Sequence, residues 1–100
     1  MNKNMLKQAQ ELQKQMAKIQ EEIESTTVES SSGGGVVKVV VSGKMVVQSI
    51  QIEETAVDSE DVELLEEMVL TAINDALCKA QELASSKMNA LTRGFNLPGF

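Results

Sequence analysis

The 100-residue chain contains no histidine, no tryptophan and no tyrosine, and it has a single cysteine, Cys78. Histidine is the side chain most used for acid–base catalysis near neutral pH and the commonest metal ligand. Its absence therefore predicts that the chain is not an enzyme and binds no metal, cofactor or small-molecule substrate. A lone cysteine cannot form an intramolecular disulfide, and we expect Cys78 to be a small buried residue.

The sequence also lacks a long apolar run, and its only aromatic residues are Phe95 and Phe100. No segment approaches the ~20 apolar residues that cross a bilayer, and the N-terminal lysines are not followed by the compact apolar stretch of a secretory signal. A cytoplasmic protein without a membrane partner is therefore expected. Without an aromatic platform in its body, the chain is a poor candidate for holding single strands by base stacking.

Acidic residues outnumber basic ones, giving a net charge of −6, but the two signs are segregated along the chain. Residues 1–20 contain four lysines and one acid, whereas residues 53–67 contain eight acids and no base. The total charge argues mildly against nucleic acid, because phosphate binding rests on Lys and Arg, although the local field matters more than the total. We interpret the acidic run as a helix start and a solvated face rather than a metal site.

Six apolar residues predict an amphipathic helix over residues 4–24, because they alternate at spacings of four and three. These residues, called the seam below, are Met5, Ala9, Leu12, Met16, Ile19 and Ile23. Asn2 or Asn4 can cap the start of this helix. The seam has to be buried, either within the chain or against a partner.

The lysines of this helix lie outside the seam, and they allow two interpretations. They can form a solubilising face with acidic partners four residues further on, Glu11 for Lys7 and Glu22 for Lys18. They can instead contact the phosphates of a nucleic acid. Taken alone, the pattern favours the first interpretation, since lysines on exposed helix faces are routine.

Residues 26–52 predict a three-stranded antiparallel meander, because two β-branched runs flank a short turn. The central strand is Val36–Ser42. The strand Met45–Ile52 returns after a tight turn in which Gly43 can supply a positive φ. A shorter first strand surrounds Val28.

Alternation along these strands leaves neither face of the sheet cleanly polar, although a half-exposed antiparallel sheet normally has one polar face. On the third strand, Ile50 and Ile52 share one face with Val46. Met45 and Val47 fall on the other face. We therefore expect helices to cover one face of the sheet and a second subunit to cover part of the other.

A second, longer helix is predicted over residues 59–91, with an apolar period of 3.6 residues and Asp58 or Ser59 as its N-cap. Small residues recur every four positions along it, which favours the close approach of another helix. They are Ala72, Ala76, Ala80 and Ala84. Gly94 is the expected helix stop, and residues 92–100 form a tail.

The predicted lengths conflict unless the helices overhang the sheet. The second helix would span ~45 Å, whereas strands of six or seven residues span ~20 Å. A three-stranded sheet cannot cover two such helices along their whole length. We therefore expect their ends to project as arms or to dock on another subunit, and a symmetric dimer is the commonest solution.

The chain resembles the YbaB/EbfC family of bacterial nucleoid-associated proteins. The resemblance rests on the order and spacing of several segments. They are MLKQAQELQKQMAKIQEE (5–22), GGGVVKVVVSG (33–43), IQI (50–52), ELLEEMVLTAINDALCKAQE (63–82) and LPGF (97–100). The most specific pieces are the glycine-bounded strand, the Ala-x-Asn-Asp-Ala motif at 72–76 and the closing LPGF.

This resemblance implies an α+β fold in one domain, residues 1–100, with the order helix, three-stranded antiparallel sheet, long helix. It also implies a cytoplasmic, nucleoid-associated homodimer whose helices project like tweezers and bind double-stranded DNA. We expect contacts to phosphate, which position a protein without reading sequence. The residues expected to make them are Lys3, Lys7, Lys14, Lys18, Lys87 and Arg93. The alternative is a protein-interaction adaptor or a small chaperone-like clamp, which the net acidic charge and the apolar arms also suggest.

Overall fold

The computed structural model describes residues 2–95. Its elements are α1 (Lys3–Ser25), β1 (Thr27–Ser32), a 3-10 turn (Gly33–Gly35), β2 (Val37–Ser42), β3 (Val47–Ile52), a second 3-10 turn (Glu54–Ala56) and α2 (Val62–Phe95). The predicted α+β fold is therefore confirmed, with a helix, a three-stranded antiparallel sheet and a long C-terminal helix. Within the described residues, neither helix combines the length and apolarity needed to cross a bilayer.

The first helix begins and ends at local hydrogen bonds. Asn2 is the N-cap, and its side-chain oxygen accepts a hydrogen bond from the backbone N–H of Asn4 at 2.9 Å. At the other end, Thr26 turns to an extended conformation. Its N–H and its hydroxyl both donate to the carbonyl of Glu22, at 3.0 and 2.5 Å. These two polar residues replace the missing helical partners at the helix ends.

The sheet has the order β1-β2-β3, and both pairings are antiparallel. Ile50 lies opposite Val39, but a register shift at Val40/Val41 brings Val47, rather than Gln48, opposite Val41. A bulge offsets the alternation of the bulged strand by one residue. The prediction that Val47 faces away from Ile50 is therefore wrong, and both side chains lie on the same face.

Gly43 has a different role from the predicted one. The residue of this turn with a positive φ is Met45, at 64°, and Gly43 does not adopt such a conformation. Its lack of a side chain matters because the end of α1 passes directly over it. A Cβ at Gly43 would overlap the carbonyl oxygen of Ile23 and lie 2.9 Å from its Cγ2.

The core forms where α2 lies across the sheet. The residues buried there without any exposed surface are Val37, Val39, Val41, Ala72, Ala76 and Ala80. The alanine stripe was predicted to receive another helix, but three of its four residues pack against β2 instead. Small side chains let the helix approach the valines closely, so the stripe fits a sheet as well as it would fit a helix.

The second helix begins and ends later in the chain than predicted. It begins at Val62, and Asp61 rather than Asp58 or Ser59 caps it by accepting from the N–H of Leu64 at 3.3 Å. It continues through Gly94, which does not take the left-handed conformation that ends a helix. Residues 96–100 of the predicted tail lie outside the described residues.

The two helices run side by side beyond the sheet. We call α1 together with residues 81–95 the arm, and the three strands together with residues 62–80 the body. The molecule measures 70 × 21 × 16 Å, with a radius of gyration of 19.5 Å, whereas a compact 100-residue domain has ~13 Å. The expectation that the helices overhang the sheet is confirmed.

Candidate nucleic-acid interface

The lysines of α1 form a single stripe along the arm. The spacings of four, seven and four residues confine Lys3, Lys7, Lys14 and Lys18 to ~60° of the helix circumference. All four are exposed. The stripe lies on the side of α1 away from the seam, whose residues Leu12 and Ile19 are half-buried and whose Ile23 is buried.

The acidic partners predicted for these lysines are engaged elsewhere. Within residues 2–95, ion pairs join Lys79 to Asp75 at 3.3 Å and Lys87 to Glu22 at 3.9 Å. Glu11 accepts a hydrogen bond from Gln15 at 3.1 Å instead of pairing with Lys7. The predicted i,i+4 pairs are therefore wrong, and the ammonium groups of the stripe have no carboxylate within ion-pair distance in the described part of the chain.

The other two predicted basic residues lie apart from the stripe. Lys87 is half-buried, and its partner Glu22 belongs to α1, so this ion pair links the two helices of the arm. Arg93 is exposed in the last described turn of α2, where its Nε donates to the carbonyl of Asn89 at 3.4 Å. A cation at this end also interacts favourably with the helix dipole.

An open groove connects the stripe to the end of α2. It is lined by Lys7, Gln8, Gln10, Glu11 and Lys14 of α1 and by Gly94 of α2. Its lining offers ammonium and amide donors to an anion. The amide residues were missed from the sequence, although Gln10 stands three residues after Lys7 and four before Lys14, a spacing that shares a helix face.

The charges of the molecule are separated along its length. Residues 2–20 and 83–95 hold six basic residues and one acid, and the arm as a whole holds six basic residues and five acids. The acidic run 53–67 lies at the opposite end of α2, a helix of 34 residues that is ~51 Å long. Because the Debye length is ~8 Å at physiological salt, these acids do not cancel the positive field of the arm.

Asp75 of the Ala-x-Asn-Asp-Ala motif joins α2 to the sheet. Its carboxylate accepts a hydrogen bond from the hydroxyl of buried Ser30 on β1 and forms the ion pair with Lys79. The Ser30 hydrogen bond, followed by the contact with Lys79, lowers the pKa of Asp75. These contacts give the motif a structural role in fixing α2 across β1.

Cys78 is exposed, so the prediction that it is a buried filler is wrong. It lies on the outer face of α2, one turn before Glu82, whose carboxylate is 3.7 Å from the sulfur. The negative charge of Glu82, together with partial desolvation, raises the pKa of this thiol. A thiol with a raised pKa is a weak nucleophile near neutral pH. Among the described residues, no three Cys, Asp or Glu side chains come together as a metal site.

The third strand leaves an apolar surface uncovered. All six residues of β3 are exposed, because α2 lies over β1 and β2 only. Ile50 and Ile52 keep 45% and 41% of their surface accessible, and they share the face of the buried Val39 and Val37. Val47 continues this surface, which is called the β3 surface below.

The chain is similar to a protein family and to several known proteins. The model of the YbaB/EbfC DNA-binding family matches residues 1–95. A nucleoid-associated protein of Caldanaerobacter subterraneus is 50% identical over 96 residues, which cover 96% of this chain and 86% of that protein. A nucleoid-associated protein of Desulforamulus reducens is 54% identical over 99 residues, covering 99% and 93%. The crystal structure of an uncharacterized protein from Helicobacter pylori has the same fold, with a TM-score of 0.74, 24% identity and coverage of 91% of this chain and 97% of that one.

Proposed function

Because the chain belongs to the YbaB/EbfC DNA-binding family, we propose that it is a non-enzymatic, nucleoid-associated protein that binds duplex DNA through its arm. The lysine stripe of α1 carries this proposal. It presents four exposed ammonium groups, which have no carboxylate partner among residues 2–95, on the one part of the molecule with a net positive charge. Counterion release from DNA phosphates gives such a surface most of its affinity.

The geometry of the stripe suits contacts to the DNA backbone. From Lys3 to Lys18 it extends over fifteen residues, or ~22 Å of helix, a length that passes six or seven base pairs along the duplex axis at ~3.4 Å each. Arg93 adds a contact at the end of the arm, and Lys87 adds a weaker one because Glu22 partly neutralises it. Lysine contacts to phosphate position the protein and leave base sequence largely unread, so the expected sequence preference is modest.

The active unit in this proposal is a homodimer formed through the β3 surface. This edge strand exposes backbone groups as well as the apolar side chains of Val47, Ile50 and Ile52. Edges of this kind are normally covered or blocked with charges in a monomer. A second copy would cover them by an isologous contact and place two arms on one particle, which increases DNA affinity by bivalency.

The dimer is tested by placing a charge on the β3 surface. Ile50→Lys is expected to convert a dimer into a folded monomer, because the side chain is exposed in the single subunit and buried only in the pair. Sedimentation equilibrium and circular dichroism measure the two properties. Ser49→Lys, a neighbouring change on the opposite face of the sheet, should leave the dimer intact. A wild-type protein that sediments as a monomer would rule out this assembly.

DNA binding is tested by its dependence on salt. For each arm that binds, four lysine–phosphate contacts contribute about −3.6 to the slope of log K against log salt, and one such arm loses about a hundredfold in affinity between 50 and 200 mM. Lys7→Gln/Lys14→Gln should make this slope shallower by about 1.8. Lys38→Gln/Lys44→Gln changes the net charge equally but lies on the body, and it should leave the slope unchanged.

The outcomes of this titration separate DNA binding from the protein-interaction alternative. Equal effects of the two double variants would overturn the role of the stripe, since total charge alone would then control affinity. Salt-independent affinity, or no duplex binding at 150 mM salt, would overturn the DNA proposal itself. Capture of one stoichiometric protein partner under the same conditions would then favour an adaptor.

A further inference from the structure

A second stripe of exposed residues runs along α1 beside the lysines, and it carries no charge. It consists of Leu6, Gln10, Gln13 and Ala17 and is called the amide stripe below. The spacings of four, three and four residues confine these side chains to ~60° of the helix circumference. The centre of the amide stripe lies ~80° around the helix axis from the centre of the lysine stripe.

The two glutamines of the amide stripe have their amide groups available for a ligand. Among residues 2–95, the side chains of Gln10 and Gln13 form no hydrogen bond within the protein, whereas Gln15 and Gln20 each donate to a glutamate of the same helix. A glutamine amide carries two N–H donors and a carbonyl acceptor on one planar group. Each free amide can therefore bind a partner that offers one acceptor and one donor side by side.

Adenine offers this pair of groups in the major groove of DNA. Its N7 accepts a hydrogen bond and its N6 amino group donates one, so a glutamine amide binds it with two hydrogen bonds. The thymine of the same base pair exposes a methyl group, which apolar side chains such as those of Ala17 and Leu6 can contact. Guanine presents two acceptors, N7 and O6, so the amide oxygen would face another acceptor there.

The dimensions of α1 suit this groove. An α-helix is ~10–12 Å across, and the major groove is ~12 Å wide. From Leu6 to Ala17 the helix rises ~16 Å, roughly the length of five base pairs at ~3.4 Å each. The second helix does not block the approach, because Leu12 and Ile19, which are half-buried beside α2, lie ~140° around the helix from both stripes.

We propose that α1 enters the major groove of DNA and that the amide stripe recognises A·T base pairs. Gln10 and Gln13 are the specificity-determining residues, and the lysine stripe contacts the phosphates at one edge of the groove. This inference rests on the proposed binding of DNA by the arm. It adds a base preference that lysine contacts to phosphate do not supply.

The preference can be measured with duplexes of equal length that contain A·T, G·C or inosine·cytosine pairs. Inosine has the same major-groove edge as guanine but lacks its amino group in the minor groove. The wild-type protein is expected to bind the A·T duplex about tenfold more tightly than either of the other two. If the inosine·cytosine duplex binds as tightly as the A·T duplex, the protein recognises the minor groove and the proposal is wrong.

Variants of the glutamines connect the preference to the amide stripe. Gln10→Ala/Gln13→Ala should reduce the A·T preference to about twofold. Alanine favours a helix, so α1 should remain folded. The dependence of affinity on salt should also stay the same, because no charge is removed. Gln81→Ala/Asn89→Ala removes two exposed amides from α2 in the same arm and should keep the full A·T preference.

The possible results separate base recognition from DNA binding itself. Equal affinity for the A·T and G·C duplexes, with salt-dependent binding intact, would overturn base recognition and leave DNA binding in place. An A·T preference that persists in Gln10→Ala/Gln13→Ala would overturn the role of the two glutamines. If no duplex binds, DNA binding by the arm is wrong, and base recognition is wrong with it.

Discussion

The body and the arm use the same helix in opposite ways. In the body, α2 packs against the sheet through Ala72, Ala76 and Ala80, which are fully buried with the valines of β2. In the arm, the larger side chains Leu83 and Leu91 are only half-buried beside α1. Tight burial stabilises the body, whereas the thin two-helix arm exposes most of its surface. The part of the molecule that holds the candidate interface is therefore the part that contributes least to the core.

The largest expected difference between the two regions is in stability. Ala76→Leu inserts a large side chain between α2 and β2 and should lower the free energy of unfolding by about 2 kcal/mol or more. Ala90→Leu makes the same change at an exposed position in the arm, where the effect should stay within about 0.5 kcal/mol. Urea unfolding of both variants measures the comparison. Equal losses would mean that the arm is packed as tightly as the body.

A smaller difference is expected in DNA affinity. Glu11 lines the groove with Lys7 and Lys14, so Glu11→Gln should strengthen binding about twofold to fivefold near physiological salt by removing a repulsive charge. Glu66→Gln removes an equal charge at the far end of α2, several Debye lengths away, and should have no effect. Titration of duplex DNA with the two variants measures the contrast. An equal gain would show that affinity follows total charge rather than charge position.

The smallest expected effect is a pH dependence of the link between α2 and β1. Because the folded pKa of Asp75 is lowered, its stabilising contribution is present above its unfolded pKa, about pH 4, and is lost as pH falls through the folded pKa. The stability difference between wild type and Asp75→Asn should therefore shrink below pH 4 in urea unfolding.

Serine variants attribute this pH dependence to one hydrogen bond. Ser30→Ala removes the hydroxyl that donates to Asp75. In a Ser30→Ala background, the loss of stability caused by Asp75→Asn should therefore be smaller. Ser31→Ala is the matched control, because its side chain is exposed on the next position of β1. A stability difference that is constant from pH 6 to 3 would contradict the role of Ser30.

Periodicity predicted the elements well, because each depends on neighbours within a few residues. The alternating spacings of four and three residues located α1, the 3.6-residue pattern located α2, and the β-branched runs located β2 and β3. Errors arose where a distant segment decides the local geometry. Gly43 has no room for a side chain because the backbone of Ile23 lies directly over it. Gly94 stays helical in a helix that runs beside α1. A bulge at Val40/Val41 likewise reassigns Val47 to the opposite face from its predicted one.

The candidate interface was only partly predictable for the same reason. The spacing of Lys3, Lys7, Lys14 and Lys18 already confines them to one face of a helix. Whether these lysines pair with acids could not be predicted from spacing, since Glu22 faces Lys87, which is 65 positions away in the chain. The exposure of Cys78 was equally undetermined, because it depends on which side of α2 meets the sheet.

The sequence by itself determined the order of elements, the separation of charge between residues 1–20 and residues 53–67, and the need for helices longer than the sheet. These properties follow from local spacing, composition and the fixed rise of a helix or strand. Only the tertiary structure decided that the alanine stripe packs on β2, that the first turns of the seam are exposed and that, within residues 2–95, the lysine stripe lies without acidic partners. The burial of a side chain and the pairing of a charge both depend on which other surface lies against it, and local spacing does not specify that surface.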